Sequence, residues 1–210
     1  MVCVIIAAGP SVDFDRLGTI GQNREAFFIL CADGGFYHAK AANLLPDLLV
    51  GDLDSLAEID LPSGVDTRRL NPQKDVTDSR ECIRIGVSMG FRTFELHGML
   101  GGRIDHALSN LSDLYYINNL GAGARMYDAL CTVELVAGIT VVEGAAGETI
   151  SFMLYGPAPK SITLKGFLYP LDAYEGDISF QIGVSNQLVG TRGEVIVHGG
   201  CLLMIRNKQG

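Results

Sequence analysis

In the first part of the chain, short apolar runs alternate with segments whose apolar residues recur at helical spacing. A continuous apolar run is typical of a strand buried on both faces, and the longer spacing is typical of a helix. The pattern predicts strands at residues 2–8, 27–32, 48–50, 93–97 and 125–129, and helices at residues 36–43, 77–89 and 104–120. Strands that alternate with helices imply right-handed crossovers and a doubly wound, mostly parallel sheet covered on both sides.

Two of the predicted helices have a recognisable face. In the helix at residues 77–89, Asp78, Cys82, Ile85 and Met89 share one side of the helix. The helix at residues 104–120 has the most regular stripe, which consists of Ile104, Ala107, Leu108, Leu111, Leu114 and Tyr115.

Beyond about residue 130 the pattern changes to short β-rich runs that are often broken by glycine or proline. These runs are CTVELVAG, ITVVEG, ETISFMLYG, SITLKGF, DISFQIG and EVIVHGGCLLMIRN. They predict an all-β sandwich. We therefore expect two domains, an α/β domain at residues 1–129 and a β-sandwich domain at residues 130–210.

The composition supports a sizeable core, with 48% hydrophobic and 19% charged residues. The net charge is −8 without a basic run, which disfavours a nucleic-acid partner but not a small phosphate ligand bound with a metal ion. The N-terminal run MVCVIIAAG lacks a basic leader and is too short for a membrane helix, so we expect no membrane segment. The five scattered cysteines form no C-x-x-C pair, which favours a reduced, cytoplasmic protein without a zinc site.

Acidic residues follow two of the predicted strands. Asp33 follows the strand at 27–32, in the motif ADGG, and Asp52 and Asp54 follow the strand at 48–50, in the motif GDLDS. Side chains two residues apart in an extended chain face the same side. Ligands of open α/β sheets bind beyond the carboxyl ends of the strands, so we expect these carboxylates to converge there.

Two further motifs carry charge, and both adjoin a predicted helix start. They are QKDVTD, with Lys74, Asp75 and Asp78, and GGRIDH, with Arg103, Asp105 and His106. Taken singly, an aspartate in such a motif is most often a helix cap or part of a turn. Carboxylates gathered together repel one another, and Mg²⁺ with oxygen ligands removes this cost beside a phosphate. Lys74 and Arg103 are then candidates for contacts with phosphate oxygens.

The motifs ADGG, GDLDS, QKDVTD and GGRIDH, in this order and spacing, resemble those of the thiamine pyrophosphokinase family. The segments LKGFLYPL, GVSNQL and GCLLMI in the second half are also similar to that family, so the resemblance covers nearly the whole chain. It implies an enzyme that transfers pyrophosphate from ATP to the hydroxyl of thiamine, giving thiamine diphosphate and AMP. It also implies a homodimer whose site lies between the α/β domain of one subunit and the β domain of the other.

The resemblance also implies roles for individual residues. Asp52, Asp54 and Asp78 are expected to hold Mg²⁺ and orient the reacting groups, with Asp105 supporting the same cluster. Lys74 and Arg103 are expected to bind the phosphates of ATP, with Asp33 nearby, and Ser185 and Asn186 to contact the thiamine pyrimidine. The chain departs from the family at Leu53, which is often Phe, and at Gln187, which is often Glu. It has no Trp, which some members stack on thiamine, and Phe167, Tyr169 and Tyr174 are the alternatives.

In the implied reaction the thiamine hydroxyl attacks the β-phosphorus of ATP, and Asp54 or Asp78 accepts its proton. The sequence leaves two other functions open. A metal-dependent phosphohydrolase can also carry Asp-x-Asp after a strand, although this function leaves GVSNQL and the β domain unexplained. A regulator that binds thiamine without turnover is the non-enzymatic alternative, and the retention of every acidic motif argues against it.

Overall fold

The computed structural model of the protein describes residues 1–52, 63–71, 76–156 and 158–208. Its chain divides into two units, Met1–Leu130 and Cys131–Gly210. The first unit combines a sheet with helices, and the α/β character predicted from the alternating pattern is confirmed.

The strands of the first unit are β1 (Val2–Ile6), β2 (Phe27–Ala32), β3 (Leu48–Gly51), β4 (Asp66–Arg69), β5 (Thr93–His97) and β6 (Gly123–Tyr127). They follow the order β6-β5-β1-β2-β3-β4, and every neighbouring pair is parallel. Strands β1 and β2 lie at the centre and consist almost wholly of buried apolar residues, as expected for a parallel sheet covered on both faces.

The helices of this unit cover the sheet. They are α1 (Phe14–Gln22), α2 (Gly35–Ala41), α3 (Asp78–Ser88) and α4 (Ile104–Asn119), with a short 3₁₀ helix at Arg24–Ala26. Helix α1 was not predicted, although it begins with a regular cap in which Asp13 Oδ1 accepts a hydrogen bond from Arg16 N at 3.0 Å. Within the described ranges, no helix is both long enough and apolar enough to span a membrane.

Helix α4 is turned relative to its predicted apolar stripe. Ile104 is 73% exposed and Leu108 is 46% exposed, while Asn110 and Asp113 lie on the buried side with Leu114. The stripe prediction is therefore wrong for the first half of the helix. The physical reason is that α3 presents polar partners, which bond Asn110 and Asp113 and draw these side chains inward. On α3 itself, Cys82 and Ile85 are buried as predicted, but Met89 at the helix end is exposed.

The described residues of the second unit form strands that pair with one another in the antiparallel sense. The strands are β7 (Cys131–Glu143), β8 (Thr149–Met153), β9 (Ser161–Lys165), β10 (Leu171–Tyr174), β11 (Asn186–Gln187) and β12 (Arg192–Asn207). The first part of β12 lies between β7 and β9, and after an irregularity between Val197 and Leu202 its second part lies between β7 and β8. One core cluster takes side chains from β7, β8, β9 and β12.

The run DISFQIG at residues 177–183 was expected to be β-rich, and this expectation is wrong. The segment forms turns with one isolated bridge between Asp177 and Phe180. Asp177 Oδ1 accepts hydrogen bonds from the backbone N and the hydroxyl of Ser179, at 2.8 and 2.7 Å. This local bonding by an aspartate favours a turn over a strand ladder.

Candidate active site

An open cleft with a volume of about 430 Å³ lies at the carboxyl ends of β1, β2 and β5 in the first unit. From β1 the chain moves outward on one side through β2, β3 and β4, and it resumes on the other side of β1 with β5 and β6. The cleft thus lies at the point where the strand order reverses, which is the usual ligand site of open α/β sheets. Its walls come from the segments after β1, β2 and β5 and from the first turns of α3 and α4.

Backbone forms much of the floor of this cleft. The Gly9 N–H donates to the Gly98 carbonyl at 2.8 Å, and a Cβ at Gly9 would lie only 2.4 Å from that oxygen. A Cβ at Gly98 would lie 2.2 Å from the carbonyl oxygen of Ala7. Any larger residue at Gly9 or Gly98 would force these loops apart, so the glycines allow the segments after β1 and β5 to meet. At these positions backbone rather than side chain lines the cleft, so a ligand can approach the main chain closely.

Asp33 lines the cleft directly after β2. It has a φ of 44°, in the left-handed region that non-glycine residues rarely adopt. The Asp33 N–H donates to the Val50 carbonyl at 2.8 Å, so the chain after β2 is bonded to the end of β3. Asp52 is half-buried and comes one residue after Gly51, the last residue of β3. The left-handed backbone of Asp33 is of a kind that costs about 1–3 kcal/mol, and such strain is found most often at functional sites.

Asp78 is the first residue of α3 and also lines the cleft. The N-cap of this helix is Thr77, whose Oγ1 accepts a hydrogen bond from Arg80 N at 3.2 Å. Among the interpretations of Asp78 left open by the sequence, the helix cap is therefore wrong, because Thr77 has that role. An acidic side chain in the first turn is also favoured by the helix dipole.

Arg103 lines the cleft immediately before α4 and binds Asp105 with both arms of its guanidinium group. Arg103 Nε lies 3.1 Å from Asp105 Oδ1, and Arg103 Nη2 lies 2.6 Å from Asp105 Oδ2. The hydrogen bonds from Arg103 lower the pKa of Asp105 to about 2. Both side chains are exposed, so Asp105 orients the guanidinium group through Nε and Nη2 while its remaining N–H donors stay accessible to a ligand.

The structure brings some of the expected charged residues together. Asp33, Asp78 and Arg103 line one cleft, and Asp52 lies at the neighbouring strand end. The other expected charges, Asp54, Asp75 and Lys74, lie outside the described residues, as does Leu53.

A metal site was also expected here. No group of three His, Cys, Asp or Glu side chains within the described residues is arranged to hold a metal ion. The described acids nevertheless offer only carboxylate oxygens, and this donor chemistry fits Mg²⁺ better than a metal that prefers sulfur or imidazole.

In the second unit, Ser185 and Asn186 are both held by defined hydrogen bonds. Ser185 is exposed and has a φ of 57°, and its N–H donates to the hydroxyl of the buried Ser151 at 3.0 Å. Asn186 is only 1% exposed. Its amide group accepts from Tyr169 N at 3.0 Å and donates to Tyr169 O at 2.8 Å, as a paired strand would.

Of the three candidate aromatic residues, Tyr169 is the one whose backbone is bonded to the Asn186 side chain and whose side chain is exposed. Tyr169 is 59% exposed, and its backbone is fixed by Asn186. Phe167 is 3% exposed and packs edge-on against Phe152 in the core, with ring centroids 5.1 Å apart. Tyr174 lines a small apolar cavity of about 20 Å³.

Sequence reasoning missed several residues that shape these sites. Thr77, Ser79 and Asn110 line the cleft, and Ser151 supports Ser185 from a buried position. His106, for which the sequence indicates no role, also lines the cleft. A polar residue inside an apolar stripe or strand was the available signal for Asn110 and Ser151, since a buried polar group needs a partner.

Two family models match the chain in succession. The model described as thiamin pyrophosphokinase, catalytic domain, matches residues 22–124. The model described as thiamin pyrophosphokinase, vitamin B1 binding domain, matches residues 138–202. A curated relative, the thiamine pyrophosphokinase of Bacillus subtilis (strain 168), is 25% identical over 215 residues, and the match covers 97% of each chain.

Solved structures share the fold. The crystal structure of thiamine pyrophosphokinase from Bacillus subtilis superimposes with a TM-score of 0.89 at 24% identity, over 100% of both chains. Thiamin pyrophosphokinase from Candida albicans gives a TM-score of 0.80 at 16% identity, over 99% of this chain and 90% of that one. The two family models together span most of the sequence in the expected order, and the chain therefore belongs to the thiamine pyrophosphokinase family.

Proposed function

We propose that this protein transfers a pyrophosphoryl group from ATP to the hydroxyl of thiamine, giving thiamine diphosphate and AMP. The observation that carries the proposal is the cleft at the reversal point of the sheet, where Asp33, Asp78 and Arg103 surround a floor of glycine backbone. In a member of this family, such a cleft suits a nucleoside triphosphate and its metal ion. We propose residues 1–129 as the nucleotide- and metal-binding domain and residues 130–210 as a β-sandwich domain that binds thiamine.

Mg²⁺ is the metal proposed for this cleft. Asp52, Asp54 and Asp78 are its proposed ligands, because each offers a carboxylate and they follow or face the same strand ends in the sequence pattern. When bound, Mg²⁺ supplies positive charge that screens the phosphate oxygens of ATP from the attacking hydroxyl.

The remaining work falls to groups of the chain itself. Arg103 and Lys74 bind phosphate oxygens, and Asp105 holds the Arg103 fork in a fixed plane through its two hydrogen bonds. The glycine floor lets the phosphate chain approach the backbone closely. These contacts place the β-phosphorus of ATP in line with the hydroxyl, which is the main task of a protein in phosphoryl transfer.

The chemical step forms one bond and breaks one. The thiamine hydroxyl oxygen forms a bond to the β-phosphorus of ATP. The bond from the β-phosphorus to the oxygen that bridges it to the α-phosphorus breaks, and AMP leaves with that oxygen. The hydroxyl proton passes to a carboxylate of Asp54 or Asp78 as the new bond forms.

On the thiamine side, Ser185 and Tyr169 are the proposed contacts. Ser185 presents an exposed hydroxyl from a strained backbone, and Tyr169 presents an exposed ring suited to stacking on the pyrimidine. Asn186 contributes by holding Tyr169, since its amide oxygen and nitrogen are both engaged with the backbone of that residue.

We further propose a homodimer in which the first unit of one subunit and the second unit of the other share a site. We also propose a reduced, cytoplasmic setting. Burial raises the pKa of the Cys3 thiol to about 12 and raises the pKa values of Cys31 and Cys82 as well. Thiols of this kind are unreactive and behave as small apolar core residues.

One assay tests the activity against its alternatives. The protein is incubated with ATP, Mg²⁺ and thiamine, and the nucleotides and thiamine esters are separated by chromatography. AMP and thiamine diphosphate formed in equal amounts, only when thiamine is present, support the proposal. Inorganic phosphate released without thiamine indicates a phosphohydrolase, and thiamine binding without AMP indicates a regulator.

A further inference from the structure

A chain of hydrogen bonds runs along the wall of the cleft and links helix α3, helix α4 and the segment after β5. The hydroxyl groups of Thr77 and Ser79 lie 3.0 Å apart. Ser79 Oγ donates to Asn110 Oδ1 at 3.3 Å, and Asn110 Nδ2 donates to the Met99 carbonyl at 2.7 Å. Asn110 therefore receives a hydrogen bond from one segment and gives one to another.

The two ends of this chain are the segments that carry the charged groups of the proposed site. Thr77 and Ser79 flank Asp78 at the start of α3. Met99 begins the segment that continues to Arg103 and the start of α4. A change at Asn110 thus alters the separation between a proposed metal ligand and a proposed phosphate ligand.

Asparagine is suited to this position because one planar group offers both a donor and an acceptor. Asn110 is only 8% exposed, so water has little access to replace either of its hydrogen bonds. A buried polar side chain that loses a partner costs stability, so both bonds favour the observed position of Asn110. A leucine would fill the same space but would release both segments. An ionised aspartate would present a second acceptor to the Met99 carbonyl and repel it.

We propose that Asn110 is a positioning residue for the nucleotide site, which holds Asp78 and the Met99–Arg103 segment at the separation that MgATP requires. The proposal rests on the function proposed above. It assigns Asn110 no contact with substrate, and its effect is expected on the nucleotide side of the reaction only.

A second contact between α3 and α4 provides a matched control. The guanidinium group of the half-buried Arg80 forms an ion pair with the buried Asp113, about one helical turn beyond Asn110, and lies 4.3 Å from the centroid of the Tyr116 ring. Burial raises the pKa of Asp113 to about 6, and the charge of Arg80 opposes this rise. The pair joins the same two helices but contributes no lining to the cleft. Replacing both members with apolar residues removes a helix contact while leaving the cleft wall intact.

The test compares Asn110→Leu with the double variant Arg80→Met/Asp113→Leu in steady-state assays, with thermal unfolding measured for each. We expect Asn110→Leu to lower kcat/KM for MgATP by about a hundredfold while changing KM for thiamine by less than about twofold. The double variant is expected to keep kcat/KM for MgATP within about twofold of the wild type, with little change in thermal stability, because replacing both members of such a pair with apolar residues leaves no unpaired charge. An equal loss of kcat/KM for MgATP in Asn110→Leu and in the double variant would overturn the proposal, as would an Asn110→Leu enzyme with normal kinetics.

Two milder variants keep the test decisive if Asn110→Leu fails to fold. Ser79→Ala removes the bonds from Ser79 Oγ to Asn110 Oδ1 and to Thr77 Oγ1 but leaves the bond from Asn110 to Met99, and it is expected to lower kcat/KM for MgATP by about tenfold. Asn110→Asp keeps the shape, and its protonated form can donate to Met99 O. Its activity relative to the wild type should therefore rise as the pH falls from about 8 to about 6, since burial raises the pKa of a carboxyl group. A flat ratio across this range contradicts the proposal.

The wild-type assay separates the two levels of inference. If the wild type produces AMP and the Asn110 variants match the double variant, only the role of Asn110 fails. If the wild type produces no AMP but binds MgATP, the proposed reaction fails and the role of Asn110 is judged from the dissociation constants of the same variants. If the wild type neither turns over nor binds MgATP, both inferences are overturned.

Discussion

Gly51 and Asp33 lie against each other at the ends of neighbouring strands. A Cβ at Gly51 would be 3.0 Å from Asp33 Cβ and 3.2 Å from Asp33 Cα, closer than side chains normally pack. The Asp33 N–H is bonded to the Val50 carbonyl at 2.8 Å, so Asp33 has little room to move away. Gly51 is thus a condition for placing the Asp33 carboxylate in the cleft.

From this contact we expect Gly51→Ala to displace Asp33 and to raise KM for MgATP by about tenfold, with a loss of about 1–3 kcal/mol in the free energy of unfolding. Steady-state kinetics and urea denaturation measure the two effects. Gly18→Ala is the matched control, because a Cβ there meets nothing within 4 Å and the residue lies inside α1. The control should gain about 0.5–1 kcal/mol in stability with normal kinetics. A Gly51→Ala enzyme with an unchanged KM for MgATP would show that the contact has no bearing on the nucleotide.

Asp52→Asn tests the proposed metal ligand at the end of β3. The amide keeps the shape but loses the charge that a hard cation requires, so we expect kcat to fall by about a hundredfold or more while the fold survives. The requirement for Mg²⁺ should rise in parallel, which a titration of activity against Mg²⁺ concentration measures. Asp66→Asn, on the exposed strand β4, removes a negative charge elsewhere in the unit and should leave kcat and the Mg²⁺ requirement unchanged. Near-normal activity of Asp52→Asn at limiting Mg²⁺ would exclude Asp52 as a ligand.

The sequence pattern predicted the elements that depend on local periodicity. Strand β5 and helix α4 were placed to within a residue, and α4 is a long run of 16 residues. The orientation of α4 was not predictable in the same way, because Asn110 and Asp113 point inward only where α3 supplies partners for them. Helix α1 was missed because its apolar spacing is interrupted by Gly18 and Gly21, and its burial rests on contacts with the sheet.

The candidate site also contains features that the sequence predicts and features that depend on tertiary contacts. The residues Asp33, Asp78 and Arg103 could be predicted to meet, because a parallel sheet brings the carboxyl ends of its strands to one edge. For Ser151 the sequence indicates only that a polar residue in an apolar strand needs a partner; it does not indicate that this partner is Ser185 N, which is 34 positions away. Contacts of that kind depend on register and loop path rather than on local pattern.

Tyr169 is expected to provide the ring that stacks on thiamine. Tyr169→Phe should keep KM for thiamine within about threefold, because the ring face remains, whereas Tyr169→Ala should raise KM for thiamine by about tenfold or more. The KM for MgATP should stay unchanged in both. Phe180→Ala serves as a control, since it removes another exposed ring of the same unit. If Tyr169→Ala and Phe180→Ala behave alike, Tyr169 has no special role.

Ser151→Ala removes the acceptor that holds the strained backbone of Ser185. We expect a loss of about 1 kcal/mol in stability and a rise of about threefold to tenfold in KM for thiamine, because Ser185 can then relax away from its φ of 57°. Ser151→Thr retains a hydroxyl on strand β8, so its stability and its KM for thiamine should lie close to those of the wild type. An equal KM in the alanine and threonine variants would rule out the hydroxyl as the cause.

His97 is expected to make the fold sensitive to acid. It is fully buried at the end of β5, with its ring stacked on Tyr127 at a centroid distance of 5.3 Å. Within the described residues neither ring nitrogen has a hydrogen-bond partner, and Nε2 lies 3.7 Å from a carboxylate oxygen of Glu95, which binds Arg16. Burial is the main cause that lowers the pKa of His97, and the attraction of Glu95 opposes it.

The sign of the resulting pH dependence follows from proton linkage. In the unfolded chain His97 titrates near its ordinary pKa of about 6.5, so below that pH the unfolded state binds a proton that the folded state does not. The contribution of His97 to the free energy of unfolding should therefore decrease as the pH falls from about 7 to about 5.5, by at most about 1.4 kcal/mol per pH unit. His97→Phe keeps the stacked ring and removes this titration, so the variant should lose less stability than the wild type in urea denaturation over this range. Asp113, whose pKa is raised to about 6, titrates in the same window with the opposite sign but is present in both proteins. The range of Glu95, whose pKa is lowered, lies below the window, so the difference between the two slopes reports on His97. Identical slopes would mean that His97 accepts its proton equally well in both states, and its buried, unbonded ring would then need another explanation.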